Sequence, residues 1–453
     1  MSTIAAIATA QGSGGIAIIR ISGPGALEML KRVFRPLSAK FSTFRPWTLH
    51  LGKFVDGNEQ ALDEGLAVYM PGPNSYTGED VAEFHCHGGQ LLVNTVLGRI
   101  LELGARPAER GEFTRRAFLN GRMDLTRAEA VAELIGARSP VALRCGLEKL
   151  AGHLADRVQK LKSGIDELRA LVFAALDFPD DELPALPREQ FLAMLETPIA
   201  SIEDLLRQGA RTQPYRTGCR IILAGPVNAG KSSLFNAMAG RKRALVSDRP
   251  GTTRDYIEED LDFNGLPVCV ADTAGLRTEN GTNDAIEAAG IKRSLELAAD
   301  ADLIWLVLDS AKPEQANSAL AMLERKAPQT RILLVWNKAD LASPPAMQDR
   351  RHCAVSALTG QNLDLLVEKS VQMLAEKLEN ADYGASPNVR QAQILSQARD
   401  ELLTLVDSVA NDLPYDLCAN HLDAAAVLLD EILGLASHDE LLNDIFSRFC
   451  IGK

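Results

Sequence analysis

Residues 225–232 read Gly225-Pro226-Val227-Asn228-Ala229-Gly230-Lys231-Ser232, and no other stretch constrains the fold as much. The apolar run Arg220-Ile221-Ile222-Leu223-Ala224 precedes it and the helical pattern Ser233-Leu234-Phe235-Asn236-Ala237-Met238 follows. A strand turning through a GxxxxGK[ST] loop into a helix is the context that gives this motif its chemistry. The glycines let backbone N–H groups wrap a β-phosphate, and the helix N-terminus adds partial positive charge. Lys231 is expected to reach the β- and γ-phosphates, with the Ser232 hydroxyl on Mg²⁺.

Further elements follow in the order such a unit requires. Gly251-Thr252-Thr253-Arg254-Asp255 offers a second Mg²⁺ hydroxyl at Thr253. Leu266 to Ala271 reads as a strand ending in Asp272-Thr273-Ala274-Gly275, where a carboxylate backs the metal and a glycine N–H senses the γ-phosphate. A third strand, Ile332 to Trp336, delivers Asn337-Lys338-Ala339-Asp340. The Asp340 carboxylate accepts two hydrogen bonds that guanine supplies and adenine does not, and an unmet buried carboxylate is costly. Ser356-Ala357-Leu358 completes the base pocket. Guanine-nucleotide binding and hydrolysis are therefore predicted, with Ser233 and the loop Ser247-Asp248-Arg249-Pro250-Gly251-Thr252 included in the nucleotide contacts. Leu276 stands where a water-orienting glutamine is common, and no arginine finger is evident to neutralise developing charge. Asn228 offers a side-chain oxygen to a monovalent cation such as K⁺, with carbonyls and a hydroxyl of the loop Ser247 to Thr252 as further donors; an ordinary polar loop residue is the competing reading.

The remaining chain is read from composition and periodicity. At 453 residues the length suggests about three domains. A net charge of −12 denies the chain a general basic field, so any RNA contact must be local or shared with a partner. Seven cysteines without a CxxC pair argue against a disulfide framework and for a reducing cytoplasm. No stretch is apolar enough to cross a membrane.

Residues 1–118 mix short strand-like runs with glycine turns and a helix near 90–103. Residues 119–215 and 381–453 are helical by their three- and four-residue apolar spacing, with a break near 179–187. Strand and helix alternate over 216–380, which predicts an α/β unit inserted into one helical domain. The expected architecture is α/β plus α: an N-terminal α+β domain, a helical bundle, and an inserted Ras-like P-loop domain.

The landmarks extend beyond the nucleotide motifs. They include Gly14 to Gly23 (GGIAIIRISG), Ser75 to Glu83 (SYTGEDVAE), Gly111 to Arg122 (GEFTRRAFLNGR) and the terminal Phe449-Cys450-Ile451-Gly452-Lys453. In this combination the whole chain resembles the MnmE (TrmE) family of tRNA-modifying GTPases. The resemblance implies a homodimer through the N-terminal domain and an FAD-dependent partner subunit, MnmG (GidA), in a heterotetramer. It also implies a tRNA substrate modified at C5 of the wobble uridine with a carboxymethylaminomethyl or aminomethyl group. A 5-formyl- or 5,10-methylene-tetrahydrofolate is the implied one-carbon donor, and Arg20, Glu83, Arg122 and Lys453 match the family's folate positions. Residue by residue, the guanidinium and ammonium groups suit glutamate carboxylates and Glu83 suits a pterin N–H edge; a surface salt bridge is the competing reading. K⁺-driven contact between GTPase domains is implied too: Asn228 and Thr252 match the family's K⁺ contacts, Ser247 stands where Thr is common, and Arg249 stands at a position that contributes only its carbonyl. The family's water-orienting glutamate aligns with Glu287, in Asp284-Ala285-Ile286-Glu287.

Lys231, Asn228, Glu287 and Cys450 are the candidate catalytic residues. For Cys450, Arg448 favours a reactive thiolate while Phe449 and Ile451 favour a buried, inert thiol. His85-Cys86-His87 is read as structural, since neighbours on a strand face opposite ways. Six arginines between Arg106 and Arg127, against Glu109, Glu112 and Asp124, suit either phosphate or a pocket and helix surface. Two other functions fit the motifs less fully: a ribosome-assembly GTPase switch, and a folate enzyme in which GTP only regulates.

Overall fold

The computed structural model describes residues 2–10, 12–177, 187–242, 257–272, 301–326, 330–344, 351–375, 383, 385–411, 415–436 and 439–453. The chain divides into two compact units: Met1–Ile135 with Lys149–Ile199 and Gln397–Lys453, and Gly136–Glu148 with Ala200–Ser396.

The first unit carries a sheet of seven strands among the described residues, ordered β3-β4-β5-β6-β2-β1-β7. They are β1 (Ile4–Ile7), β2 (Gly14–Ser22), β3 (Phe34–Pro36), β4 (His50–Val55), β5 (Ala61–Met70), β6 (Val81–Gly88) and β7 (Arg106–Pro107). Helices α1 (Ala26–Val33) and α2 (Gln90–Glu102) are built into the same layer arrangement. α1 buries Ala26, Met29, Leu30 and Val33, the i, i+3, i+4, i+7 stripe that makes a core-facing helix. Their partners are Ile19, Ile21, Phe54, Phe84 and Val96, every one fully buried or nearly so. Strand β6 alternates, with Ala82, Phe84 and Cys86 inward and Glu83, His85 and His87 on the other face. Helices α3 (Glu112–Leu119), α4 (Leu125–Ile135) and α6 (His153–Asp177) follow, with α12 (Tyr415–Leu433) and α13 (Asp439–Ser447) from the end of the chain. α6 packs on α12 and α3 on α13, so the terminal helices close the same unit as the N-terminal sheet. Leu125, Ala128, Leu442, Ile445, Phe446 and Phe449 form the cluster that seals this closure.

The second unit contains α5 (Pro140–Ala151), most of α7 (Arg188–Thr217), and the start of α11 (Val389–Ala410). Its six-stranded sheet runs β13-β12-β11-β8-β10-β9. The strands are β8 (Cys219–Ala224), β9 (Ile257–Phe263), β10 (Leu266–Asp272), β11 (Leu303–Asp309), β12 (Arg331–Asn337) and β13 (His352–Ala354). All pairs are parallel except β9–β10, a hairpin turned by Asn264-Gly265, both at positive φ as a two-residue Asn-Gly turn demands. β11 is buried along its whole length, the continuous apolar run of a strand covered on both faces. Helices α8 (Lys231–Lys242), α9 (Gln315–Lys326) and α10 (Leu363–Leu374) flank the sheet. Trp305 stacks on Phe263 at 5.9 Å and donates its Nε1–H to Ser370 Oγ at 3.0 Å, which anchors α10 across the sheet.

Candidate functional site

Every strand that delivers a nucleotide motif does so from its C-terminal end, at one edge of the parallel sheet. β8 ends at Ala224, and the chain enters the loop through Gly225 at φ +137°. A Cβ there would collide with the Val307 carbonyl of the neighbouring β11, so only glycine lets the loop start this close to the sheet. Gly230 closes the loop at φ +92°, with its missing Cβ against the Asn337 amide. Between them Asn228 takes φ +63° and is exposed, while Ala229 is buried. Helix α8 begins at Lys231, whose Nζ donates to the Gly225 and Pro226 carbonyls at 2.8 and 2.9 Å. Ser232 and Ser233 are exposed in its first turn.

Asn337 ties this loop to the base-recognition end. It is 2 % exposed. Its Nδ2 donates to Ala229 O at 3.0 Å, and its Oδ1 accepts from Ala357 N at 3.0 Å. Lys338 extends the lattice, donating from Nζ to Asn228 O at 2.9 Å and to Asp309 Oδ2 at 2.6 Å. Ala339 N donates to Val355 O, and Ser356 Oγ accepts from Thr359 N at 3.2 Å. Asp340 and Leu358 are exposed beside these anchors, and Asp272 is buried at the end of β10. The loop, Asn337, Lys338 and the 356–358 turn are thus one hydrogen-bonded frame. Its glycine cradle, helix N-terminus and strand-end carboxylate fit a guanine nucleotide with its Mg²⁺.

Asp309 belongs to this frame and was not legible as a site residue. Burial pushes its carboxyl up, but the Lys338 hydrogen bond, the Ala311 N–H and the Lys338 charge outweigh that and leave it below the usual carboxylate value. The only signal in sequence is an Asp closing an apolar strand beside the strand that carries Asn337. The expected contacts Ser247, Asp248, Arg249, Pro250, Gly251, Thr252, Thr253, Thr273, Ala274, Gly275 and Glu287 lie outside the described residues.

The first unit assembles a second constellation. Arg20 and Glu83 sit directly opposite each other on β2 and β6, and Arg20 Nε donates to Glu83 Oε1 at 2.8 Å. His85 Nε2 lies 3.3 Å from Glu83 Oε2. Burial pushes the Glu83 carboxyl up; the His85 hydrogen bond and the Arg20 charge and hydrogen bond more than reverse it, so its pKa is lowered. The Arg20 guanidinium lies 5.6 Å from the Tyr76 ring centre and 5.8 Å from that of Phe113. The terminal segment reaches the same place: Ile451 bridges Arg110, and Arg20 Nη1 points at Gly452 O, 3.5 Å away. Gly452 is buried at φ +91°, where a Cβ would strike the Ile7 carbonyl. Lys453 follows, half-buried, while Arg122 is exposed with its chain against Gly78. Arg20, Glu83 and the tail are therefore brought together; among the described residues Arg122 makes no hydrogen bond or ion pair with them. Arg20, Glu83, His85 and Tyr76 form a polar face with one carboxylate, one guanidinium and an aromatic ring, a donor set that suits a pterin and its acidic tail.

Of the six arginines from Arg106 to Arg127, four pair with carboxylates. Arg106 pairs with Glu112, Arg116 is 4 % exposed between Glu79 and Glu112, Arg115 approaches Asp439 at 3.7 Å, and Arg127 lies 3.5 Å from Asp124. Glu79 and Asp439 come from distant segments and Glu112 and Asp124 from the same stretch, while Arg110 and Arg122 are exposed. Cys450 is exposed instead of packed, since Phe449 alone of its neighbours turns into the core and Arg448 pairs with Asp444 at 2.6 Å. His85, Cys86 and His87 do face alternate sides, and among the described residues no His/Cys/Asp/Glu group forms a metal site.

Comparison with known proteins bears on both constellations. The family profile described as GTP-binding protein TrmE N-terminus matches residues 3–122. That of the MnmE helical domain matches residues 125–450. The chain is 47 % identical over 462 residues to a tRNA modification GTPase MnmE of Nitratidesulfovibrio vulgaris (strain DP4), covering 100 % of this chain and 99 % of that one. It is 42 % identical to the protein of that name from Lawsonia intracellularis and 41 % to that from Pseudomonas syringae pv. syringae, again over 100 % of this chain and 99 % of each relative. Among solved structures, the G domain of the T. maritima FeoB iron transporter is 29 % identical over 34 % of this chain and 98 % of its own, with a TM-score of 0.27.

Proposed function

Because the chain belongs to the MnmE family of tRNA modification GTPases, we propose that its GTP hydrolysis is K⁺-stimulated and drives a folate-dependent modification of tRNA. It is a GTP hydrolase; the finer chemistry is our reading. The observation that carries it is the frame linking Asn228, Lys338 and Asn337, together with a C-terminal tail held at the Arg20–Glu83 pair.

Residues 216–380 act as the inserted GTPase domain, 119–215 and 381–453 as the helical domain, and 1–118 as the folate-binding and dimerising domain. In the nucleotide site, loop amides and Lys231 hold the phosphates, and Ser232 and Thr253 hold Mg²⁺ against Asp272. Asp340 selects guanine, while Asn337 and Lys338 keep the two ends of the site in register. Asn228, with Ser247, Arg249 and Thr252, holds K⁺, which supplies the positive charge that an arginine provides in other GTPases. Glu287 orients the attacking water. The positive φ of Asn228, fixed through its carbonyl by Lys338, presents that side chain at the loop surface where a second GTPase domain would meet it.

In the N-terminal domain Arg20, Glu83, Arg122 and Lys453 bind a tetrahydrofolate, and its one-carbon unit is what the bound cofactor contributes to the reaction. Cys450, exposed beside that tail, is available to the same chemistry. The partner is an FAD-dependent subunit of the MnmG type, and the target is C5 of the wobble uridine, in the cytoplasm.

The test is GTP hydrolysis in KCl against NaCl at equal ionic strength, with Asn228→Ala alongside. Strong K⁺ stimulation lost in the variant supports the cation mechanism. Equal rates in the two salts would remove it and leave a GTPase that needs an external activator.

A further inference from the structure

A cavity of about 700 Å³ lies in the second unit, lined by Arg207 and Arg211 of α7, Arg331 at the start of β12, Arg351 just before β13, and Gln372 and Met373 at the end of α10. Four guanidinium-bearing residues line it, and among the described residues no carboxylate does. Arg207 and Arg211 stand four apart on one helix face, and β12 and β13 are parallel, so both begin toward the same sheet edge, with His352 beside Leu334. That edge is the one opposite the nucleotide: Arg331 opens the strand that Asn337 closes, about 20 Å away for seven residues at roughly 3.3 Å each.

Structural needs account for part of this charge. Arg331 caps the Met373 carbonyl. Arg207 reaches Asp204 at only 3.4 Å, and that carboxylate is also bonded to Gln208 Nε2 at 2.7 Å. Arg207 and Arg351 are exposed. Clustering like charges around a concave surface raises a local positive potential, and a chain of net charge −12 has few places to meet a polyanion. Arginine's planar fork suits phosphate oxygens two at a time, and the volume accommodates a phosphate with its adjoining sugar.

We propose that this arginine-lined cavity receives a backbone phosphodiester of the tRNA, a contact separate from the GTP site. The inference rests on the tRNA reading above and adds where the chain holds the RNA. It is a positioning contact without base readout, so it acts alike on all tRNA sequences.

The test is fluorescence anisotropy of labelled tRNA with the full chain across a KCl series. Wild type is compared with Arg207→Gln/Arg351→Gln and with Arg32→Gln/Arg45→Gln, an equal charge change on exposed residues of the first unit. The cavity pair is expected to weaken binding at low salt and to flatten the slope of log K against log [KCl] by about two, one for each lost phosphate contact. GTP hydrolysis without tRNA stays at the wild-type rate, which shows that the fold is intact. The control pair should match wild type. A cavity variant with an unchanged slope, while wild type binds tRNA, overturns this inference and leaves the tRNA reading standing; equal losses in both pairs overturn it in favour of a general charge effect. Failure of the wild-type chain to bind tRNA at any salt removes both.

Discussion

Replacing Asn337 with alanine tests whether the nucleotide frame acts as a unit. The side chain is 2 % exposed and makes two short hydrogen bonds, to Ala229 O and from Ala357 N, each 3.0 Å. Alanine removes both partners at once and leaves a loop carbonyl and a turn N–H to be satisfied by other means. A buried group left unsatisfied costs about 1–3 kcal/mol. Ala357 is only partly buried, so its N–H falls at the low end and the sum is about 2–3 kcal/mol. If the frame is preorganised for nucleotide, most of that appears as lost affinity, about 30- to 150-fold at 1.4 kcal/mol per tenfold. Titration with a fluorescent GDP or GTP analogue reads it directly, and thermal unfolding in the same buffer separates loss of binding from loss of fold. A variant that binds within about threefold of wild type, about 0.6 kcal/mol, would refute the reasoning. The loop would then hold its shape without Asn337.

Other expectations follow from the same geometry. Asp309→Asn should weaken the Lys338 anchor and with it nucleotide binding by several-fold, less than Asn337→Ala because Lys338 is one-third exposed and screened; equal affinities would show that Lys338 is held by the loop alone. The pKa of Glu83, lowered by the His85 hydrogen bond and by Arg20 against burial, makes these pairings a source of stability present above pH 4.5, its ordinary value, and lost as pH falls through the lower folded value. Urea unfolding of wild type and Glu83→Gln should therefore differ most near neutral pH and converge in acid, and parallel curves would contradict the pairing. Lys149 is fully buried with its Nζ 2.9 Å from both Glu133 oxygens, so Lys149→Ala should cost about 3 kcal/mol in a denaturant melt. A thiol reagent used on the native chain should modify Cys450 first. It is exposed, whereas burial pushes Cys86 up to about 11 and Cys219 up to about 12; mass spectrometry after brief labelling identifies the site.

The residues of the chain determined, with no structure at hand, what the nucleotide unit is and where its parts lie. Gly225 to Ser232, Asp272 and Asn337 to Asp340 are local motifs, each set by a few consecutive residues at a strand end, and the strands came out within a residue or two of the pattern. Period and composition likewise separated the β-rich start from the helical stretches. Tertiary structure alone decided who faces whom. Glu83 meets Arg20 because β2 and β6 pair in one register, and a one-residue slip would turn both away. Asp309 becomes the anchor of Lys338 because β11 lies next to β12. Of the arginines between 106 and 127, which suited phosphate or a pocket and helix surface equally, Arg116 and Arg115 meet Glu79 and Asp439 only through the fold, while four arginines scattered from 207 to 351 converged on one cavity. Motif chemistry is written over a few adjacent positions, whereas the pairs Arg20–Glu83, Arg116–Glu79 and Lys338–Asp309 join residues dozens of positions apart, which no short window along the sequence contains.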